Sequence, residues 1–190
     1  VTFLQHLLRI AQGTDENTNY HALLVLCRLA EDKTVARLLV EQNYKEPTKK
    51  KHDSEEPEED KNICWLDSTL PTLADTMTLF LVVFQHRHLR PEIARLDVFY
   101  DFLYNYINKI KKATEDYHPS EYFLVVCKII DGFNLNSDSE SSDSELIKDV
   151  VKNLSANNII TLFMDKVFKA QNRATSDDTS RVSDPETIDI

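Results

Sequence analysis

The sequence predicts an all-α protein, and three features of it carry that prediction. Only two glycines and six prolines occur among 190 residues, whereas sandwiches, barrels and nucleotide-binding α/β folds depend on glycine-rich turns. Apolar residues make up 42% of the chain, which is enough for one domain with a buried core. They recur at helical spacing, so the apolar runs at 80–84 and 123–130 are predicted as helix although their composition also suits strands.

The amino-terminal part of the chain predicts three short helices. Residues 1–12 place four apolar side chains on one helical face and end at Gly13, a common residue after a helix. Residues 18–31 form the second predicted helix, which is apolar over a wide arc. Residues 33–43 form the third predicted helix after a tight break.

The middle of the chain predicts one insertion and two helices. Residues 44–62 are charged and contain two prolines. They bury too little apolar surface to offset their conformational entropy and are predicted as a disordered insertion. Pro71 suits the first turn of a helix that runs to about His88. Residues 91–112 form the next predicted helix, with a bend near Asp97.

The carboxy-terminal part predicts three further helices and a tail. Residues 119–131 begin at a proline and continue as an apolar run. A second polar insertion, at about 134–144, separates that helix from the next one at 144–154. The last predicted helix covers 156–170, and the polar residues 171–190 are predicted as a disordered acidic tail.

Negative charge is concentrated in three segments of the chain. Residues 46–61, 137–149 and 171–190 together account for the formal net charge of −10, so the remaining residues are neutral as a set. A nucleic-acid-binding protein needs a surplus of basic residues to neutralise phosphates. The composition therefore argues against nucleic acid as a partner.

The sequence assigns no metal, cofactor or catalytic group. Cys27, Cys64 and Cys127 are too scattered for a disulfide framework or a zinc site. On a helix, His86 and His88 would point about 200° apart and could not share one ion. No catalytic grouping can be defended, so a non-enzymatic protein is predicted. No apolar run reaches the ~18 residues of a membrane span, and the few cysteines fit an intracellular protein, cytoplasmic or nuclear.

Helices recur along the chain in a fixed order, with a long apolar helix followed by a short amphipathic one. The three pairs of segments are 22–30 with 32–43, 80–86 with 90–96, and 122–130 with 145–153. This succession resembles the armadillo repeat, in which a long third helix precedes the short first helix of the next repeat. The resemblance covers residues 1–170 and implies a right-handed α-solenoid of about three repeats. A HEAT-like or other irregular solenoid and a compact helical bundle are the alternatives.

The chain departs from the armadillo pattern where the short first helices end. The glycine expected there is absent, and asparagines stand in that region: Asn43, Asn153, Asn157 and Asn158. Asparagine tolerates the left-handed backbone conformation better than other non-glycine residues. The departure is therefore compatible with the repeat.

The resemblance also implies a binding groove, because in armadillo proteins the tryptophan and asparagine positions of the third helices hold extended peptides. The tryptophan positions correspond here to Leu24, Val82 and Leu124. The asparagine positions correspond to Arg28, His86 (or Gln85) and Lys128. A ladder of basic residues would favour an acidic peptide as the partner. The alternative is that these residues are ordinary solvated charges.

A second candidate surface lies on the predicted helix 91–112, opposite its apolar stripe. It consists of Tyr100, Tyr104, Asn108 and Lys111. Exposed tyrosines with a polar rim are typical of interfaces. The alternative is that these residues pack against an adjacent repeat.

Four hydroxyl residues in the acidic segments are followed by an acid three positions later. They are Ser137, Ser142, Thr175 and Ser183. Kinases that read a downstream acid use this spacing, and each phosphate would add about −1.5 to −2 charges. The segments are therefore predicted either to be tuned by phosphorylation or to act as constitutive solvating linkers.

These observations predict a non-enzymatic scaffold that binds another protein along a helical-repeat surface. The exposed apolar ends of such an array also favour homo-oligomers. The alternative is a regulatory subunit or exchange-factor-like module that changes the state of an enzyme while holding it.

Overall fold

The computed structural model describes residues 2–44, 64–67, 70–109, 119–133 and 142–179. Within those ranges the chain forms nine α-helices and no strand, which confirms the predicted all-α class. The helices are α1 (Phe3–Ala11), α2 (Glu16–Leu29), α3 (Lys33–Glu41), α4 (Leu73–Phe84), α5 (Arg90–Ile93), α6 (Asp97–Lys109), α7 (Pro119–Gly132), α8 (Ser142–Ala156) and α9 (Ile159–Thr179). Among the described residues, no helix is both long and apolar enough to cross a membrane.

Side-chain caps fix where the first three helices begin. Thr2 and Gln5 form a capping box at α1, and Asp15 accepts the backbone N–H of Thr18 at α2. Asp32 accepts the backbone N–H groups of Thr34 and Val35 at α3 (2.8 and 3.2 Å). These bonds satisfy amide groups that have no partner inside the helix. The predicted bounds of the three helices agree with the observed ones to within about two residues.

The helix predicted from Pro71 to His88 ends earlier, at Phe84. His86 leaves the helix with extended backbone angles, and its Nε2–H donates to the carbonyl oxygen of Ala30 at the end of α2 (2.7 Å). A 3₁₀ turn over Arg87–Leu89 and the short α5 follow. The bend predicted near Asp97 is a break in the backbone between α5 and α6.

An aromatic cluster holds α4, α6 and the end of α7 together. The ring of Phe80 stacks on those of Phe84 and Phe99, with centroids 5.4 and 5.6 Å apart. The ring of Phe133 meets Phe84 and Phe99 edge-on, at 5.1 and 5.7 Å. All four rings are 5% exposed or less. Such pairs stabilise a fold beyond their buried area.

The segment 64–67 packs on the end of α3. Trp65 is buried, and its indole Nε1–H donates to the carbonyl oxygen of Leu39 (2.8 Å). The buried Asn43 side chain donates to the same carbonyl and accepts the backbone N–H of Leu66, both at 3.0 Å. The segment 64–67 is thus fixed to the end of α3, and the predicted insertion 44–62 lies outside the described residues except for Tyr44.

The last two helices differ from their predicted bounds. α8 begins at Ser142, inside the predicted insertion 134–144, and the rest of that insertion lies outside the described residues. α9 continues to Thr179 instead of ending at 170, because no proline or glycine occurs between the two positions. Asn158 links α8 to α9 with a φ of 56°, the left-handed conformation for which asparagine is suited.

The helices pack mainly in the order in which they occur along the chain. α1 lies along α2, and α4 packs on both α2 and α3. In the second half, α9 packs on α6, α7 and α8. The buried side chains of the described residues form one continuous hydrophobic cluster that runs from α1 to α9.

Candidate protein-interaction surface

The outward face of α2 exposes apolar side chains next to one another. Tyr20, Leu24 and Val25 are 57, 45 and 43% exposed. Tyr20 and Leu24 lie one turn apart on the same side of the helix, and Val25 follows Leu24 at its edge. The opposite side of α2 is buried against α1 and α4. We call Tyr20, Leu24, Val25 and the following Arg28 the α2 face.

Arg28 of the α2 face is exposed but carries a partner. Its Nη1 lies 2.9 Å from the carboxylate of Glu31, in the turn that follows α2, with side chains 82 and 58% exposed. An exposed pair of this kind contributes little to stability. It nevertheless places a carboxylate beside the guanidinium. The first of the three predicted basic positions, Arg28, therefore has mixed charge around it.

Cys27 lies at the edge of the α2 face, and the groups around its thiol indicate which charges border that face. Burial raises the pKa of the Cys27 thiol above its usual value, and the carboxylates of Asp75 and Glu31 raise it further. Asp75 belongs to α4, so an acidic side chain of α4 borders this part of α2. The border of the α2 face is therefore acidic as well as basic.

The middle position of the predicted ladder is wrong. His86 lies beyond the end of α4, half-buried, with its ring bound to the carbonyl oxygen of Ala30. The alternative residue, Gln85, is exposed at the end of α4, and Val82 is half-buried against the core. Because α4 ends at Phe84, His86 binds the end of α2 and does not line a groove on α4.

The third predicted position, on α7, is exposed. Leu124 is 54% exposed, and Lys128 follows it one turn later on the surface. The buried residues Val126 and Ile129 face the other way. The pair Leu124 and Lys128 thus repeats on α7 the spacing of Leu24 and Arg28 on α2.

The tyrosine surface predicted on α6 is wrong at Tyr100. This side chain is 1% exposed, because α8 covers it: its hydroxyl donates to the carbonyl oxygen of Ala94 (2.7 Å) and accepts from Asn153 (3.4 Å). Burial raises the pKa of the Tyr100 hydroxyl. Tyr104 is 37% exposed. Asn108 is exposed near α9, and its backbone carbonyl oxygen accepts a hydrogen bond from Nζ of Lys166 (3.2 Å).

The remaining predicted site residues lie at helix ends or outside the described residues. Ser142 is the first residue of α8, not part of a disordered insertion, and Thr175 lies in α9, not in a tail. Ser137, Ser183 and Lys111 lie outside the described residues. Phosphorylation of the four hydroxyl residues stays a prediction.

A shallow cleft of about 230 Å³ opens between segment 64–67, α4 and α6. Its lining mixes leucine and phenylalanine with Asp67, Asp101 and Lys109. In the part of the chain that the structure describes, no three histidine, cysteine or acidic side chains are grouped to hold a metal. The rings of His86 and His88 lie 5.9 Å apart, closer than their predicted placement on one helix would allow.

Sequence reasoning missed two parts of the surface. It did not select Tyr20 and Val25, although the four-residue spacing of Tyr20 from Leu24 was a usable signal. It also did not select Arg87 and Arg90, because one helix was predicted to run to about His88 and the next to begin at residue 91. Comparison of the chain with protein-family models, with curated proteins and with solved structures gives no match.

Proposed function

We propose that this chain is a non-enzymatic protein-interaction module, built as an armadillo-like α-solenoid, that holds a partner protein against the α2 face. The observation that carries the proposal is the exposure of Tyr20, Leu24 and Val25 side by side on one helix. Single exposed apolar residues are ordinary on protein surfaces, whereas contiguous ones mark binding sites.

The packing order of the helices supports the solenoid part of the proposal. In an armadillo-like array, each third helix packs on the third helix of the next repeat, and second helices pack on second helices. With α2 and α4 assigned as third helices and α6 and α9 as second helices, the contacts of α2 with α4 and of α6 with α9 fit these two expectations. The contact of α3 with α4 fits a first helix packed on the third helix of its own repeat.

The chemistry of the α2 face indicates the kind of partner. Tyrosine and leucine contribute apolar contact area, and tyrosine adds a hydroxyl for hydrogen bonding. The rim contains the ion pair of Arg28 with Glu31, and Asp75 lies nearby. A partner segment with an apolar centre and charges of both signs therefore suits this face better than a purely acidic peptide.

Two matched glutamate substitutions test the proposal. Leu24 on the α2 face and Leu38 on α3 are 45 and 44% exposed, so Leu24→Glu and Leu38→Glu introduce the same change at the same exposure. Proteins retained by the immobilised wild-type chain are identified by mass spectrometry, and each is then purified and titrated with the three chains. Circular dichroism checks that both variants are folded.

We expect a direct partner whose affinity falls about tenfold or more with Leu24→Glu, as at a binding hot spot, and about twofold or less with Leu38→Glu. Equal effects of the two variants would contradict the proposal. So would the absence of any protein that distinguishes the wild type from Leu24→Glu. The turnover of an enzymatic partner, measured with and without the chain, distinguishes holding from regulation.

A further inference from the structure

The connection between α4 and α6 concentrates positive charge in a chain whose net charge is −10. Residues 86–90 read His-Arg-His-Leu-Arg. Arg87 and His88 are exposed, and Arg90 is half-buried beside them. We call His86, Arg87, His88 and Arg90 the basic connection. No part of the proposed α2 function uses it.

Arg90 is held rigidly in the basic connection. Its Nε donates to the carbonyl oxygen of Phe84 (3.0 Å) and its Nη1 to that of Gly132 (2.6 Å). The guanidinium carbon lies 4.7 Å from the centroid of the Phe84 ring. These contacts use two of the five N–H groups of the side chain. The others remain to bind an anion, and the cation is already ordered before it binds.

Among the described residues, no carboxylate forms an ion pair with Arg90. Both of its hydrogen-bond acceptors are neutral carbonyl groups. Burial and the positive charge of Arg87 lower the pKa of the Arg90 guanidinium. Arg87 therefore adds a like charge beside Arg90 and does not neutralise it. Glu92, two residues away, lies 3.5 Å from Arg37 of α3 and is partly neutralised there.

We propose that the basic connection binds an acidic peptide segment of a partner protein, with carboxylates on Arg87 and on the remaining N–H groups of Arg90. Planar guanidinium groups match carboxylates through paired hydrogen bonds. A short peptide of aspartates and glutamates can present several carboxylates within the small area of this patch.

Fluorescence anisotropy on the full chain tests this assignment. The probe is a labelled, acetylated octapeptide of alternating aspartate and glutamate, and its control is the same peptide with asparagine and glutamine. At about 50 mM salt, where surface charges are weakly screened, we expect the acidic peptide to bind and the neutral one not to bind. Arg87→Gln should weaken binding about tenfold, and Lys33→Gln, which removes an exposed positive charge from α3, about twofold or less.

Several results would overturn the proposal. They are no binding of the acidic peptide, equal binding of the neutral one, or equal effects of Arg87→Gln and Lys33→Gln. Oligouridine of matched charge that displaces the peptide at equal or lower concentration would identify a general polyanion site instead. If the peptide bound only after the glutamates of residues 55–59 were changed to glutamine, the occupant would be the chain's own acidic segment.

Discussion

Asn43 joins two parts of the chain that lie far apart in sequence. Its amide is 2% exposed, and it both donates to α3 and accepts from the segment 64–67. A buried amide stabilises a fold only when its polar atoms have partners, and removing it leaves those partners unsatisfied. Asn43 was selected from the sequence as a substitute for glycine, but its side chain, not its backbone angle, explains its position.

Asn43→Ala should lower the free energy of unfolding by about 1–3 kcal/mol, because the Leu66 N–H loses its acceptor in a buried site. Equilibrium denaturation by urea measures this change. Asn105→Ala, on the exposed side of α6, is the control and should change stability by about 0.5 kcal/mol or less. Equal effects of the two substitutions would show that the Asn43 bonds do not hold the segment 64–67 in place.

Two cysteines should differ in their rate of alkylation. The pKa of the Cys27 thiol is raised by burial and by two carboxylates, so little reactive thiolate forms. Cys127 is exposed on α7. With iodoacetamide at about pH 8, we expect Cys127 to be modified first, as followed by peptide mass spectrometry. Equal rates in the folded protein would contradict the placement of Cys27 against α4, whereas equal rates are expected after denaturation.

At the scale of single helices, the charged cap of α3 makes stability depend on pH. Two backbone N–H groups lower the pKa of the Asp32 carboxyl. Because the pKa of Asp32 is lower in the folded state, its cap stabilises the folded protein fully when the pH is above the ordinary carboxyl pKa of about 3.9. It is lost as the pH falls through the folded value, because the unfolded chain then binds the proton more readily.

Asp32→Asn should therefore melt at a lower temperature than the wild type at pH 7, and the difference should shrink progressively as the pH falls below about 3.9. Thermal denaturation across this range measures it. Thr2→Asn replaces one uncharged cap of α1 by another, so its effect should not vary with pH. A difference for Asp32→Asn that is constant from pH 7 to pH 3 would contradict the role of the carboxylate.

The contact between Gly132 and Phe84 determines how α7 meets α4. A Cβ atom at position 132 would lie 2.5 Å from Cε1 of the Phe84 ring, and that ring is fixed in the aromatic cluster. Gly132→Ala should destabilise the protein by about 1 kcal/mol or more, because overpacking exceeds the gain in helix propensity. The stability loss of the double variant Gly132→Ala with Phe84→Leu, measured by denaturation, should be smaller than the sum of the two single losses by at least about 0.5 kcal/mol. Additive effects would contradict this contact.

At the scale of the whole molecule, the sequence contained enough to predict the class and most helices, but not how they meet. The starts of α2 and α3 were predicted to within two residues from the position of their apolar runs, although the caps Asp15 and Asp32 were not identified. The end of α4 was not readable, because a bond from His86 to Ala30, 56 residues away in sequence, decides it. Tyr100 was predicted to be exposed because the periodicity of α6 places it on the outward side of that helix. In the structure α8, which is distant in sequence, covers that side.

Native-state hydrogen exchange tests the proposed solenoid arrangement most directly. Leu8 is buried in α1, and Leu8→Ala should remove about 2–5 kcal/mol of local packing. In an array in which each helix group contacts only its neighbours, protection should fall in α1, α2 and α3 and stay near the wild-type level in α6, α7 and α9. An equal loss of protection in all of these helices would show a single closed globule and would contradict the solenoid.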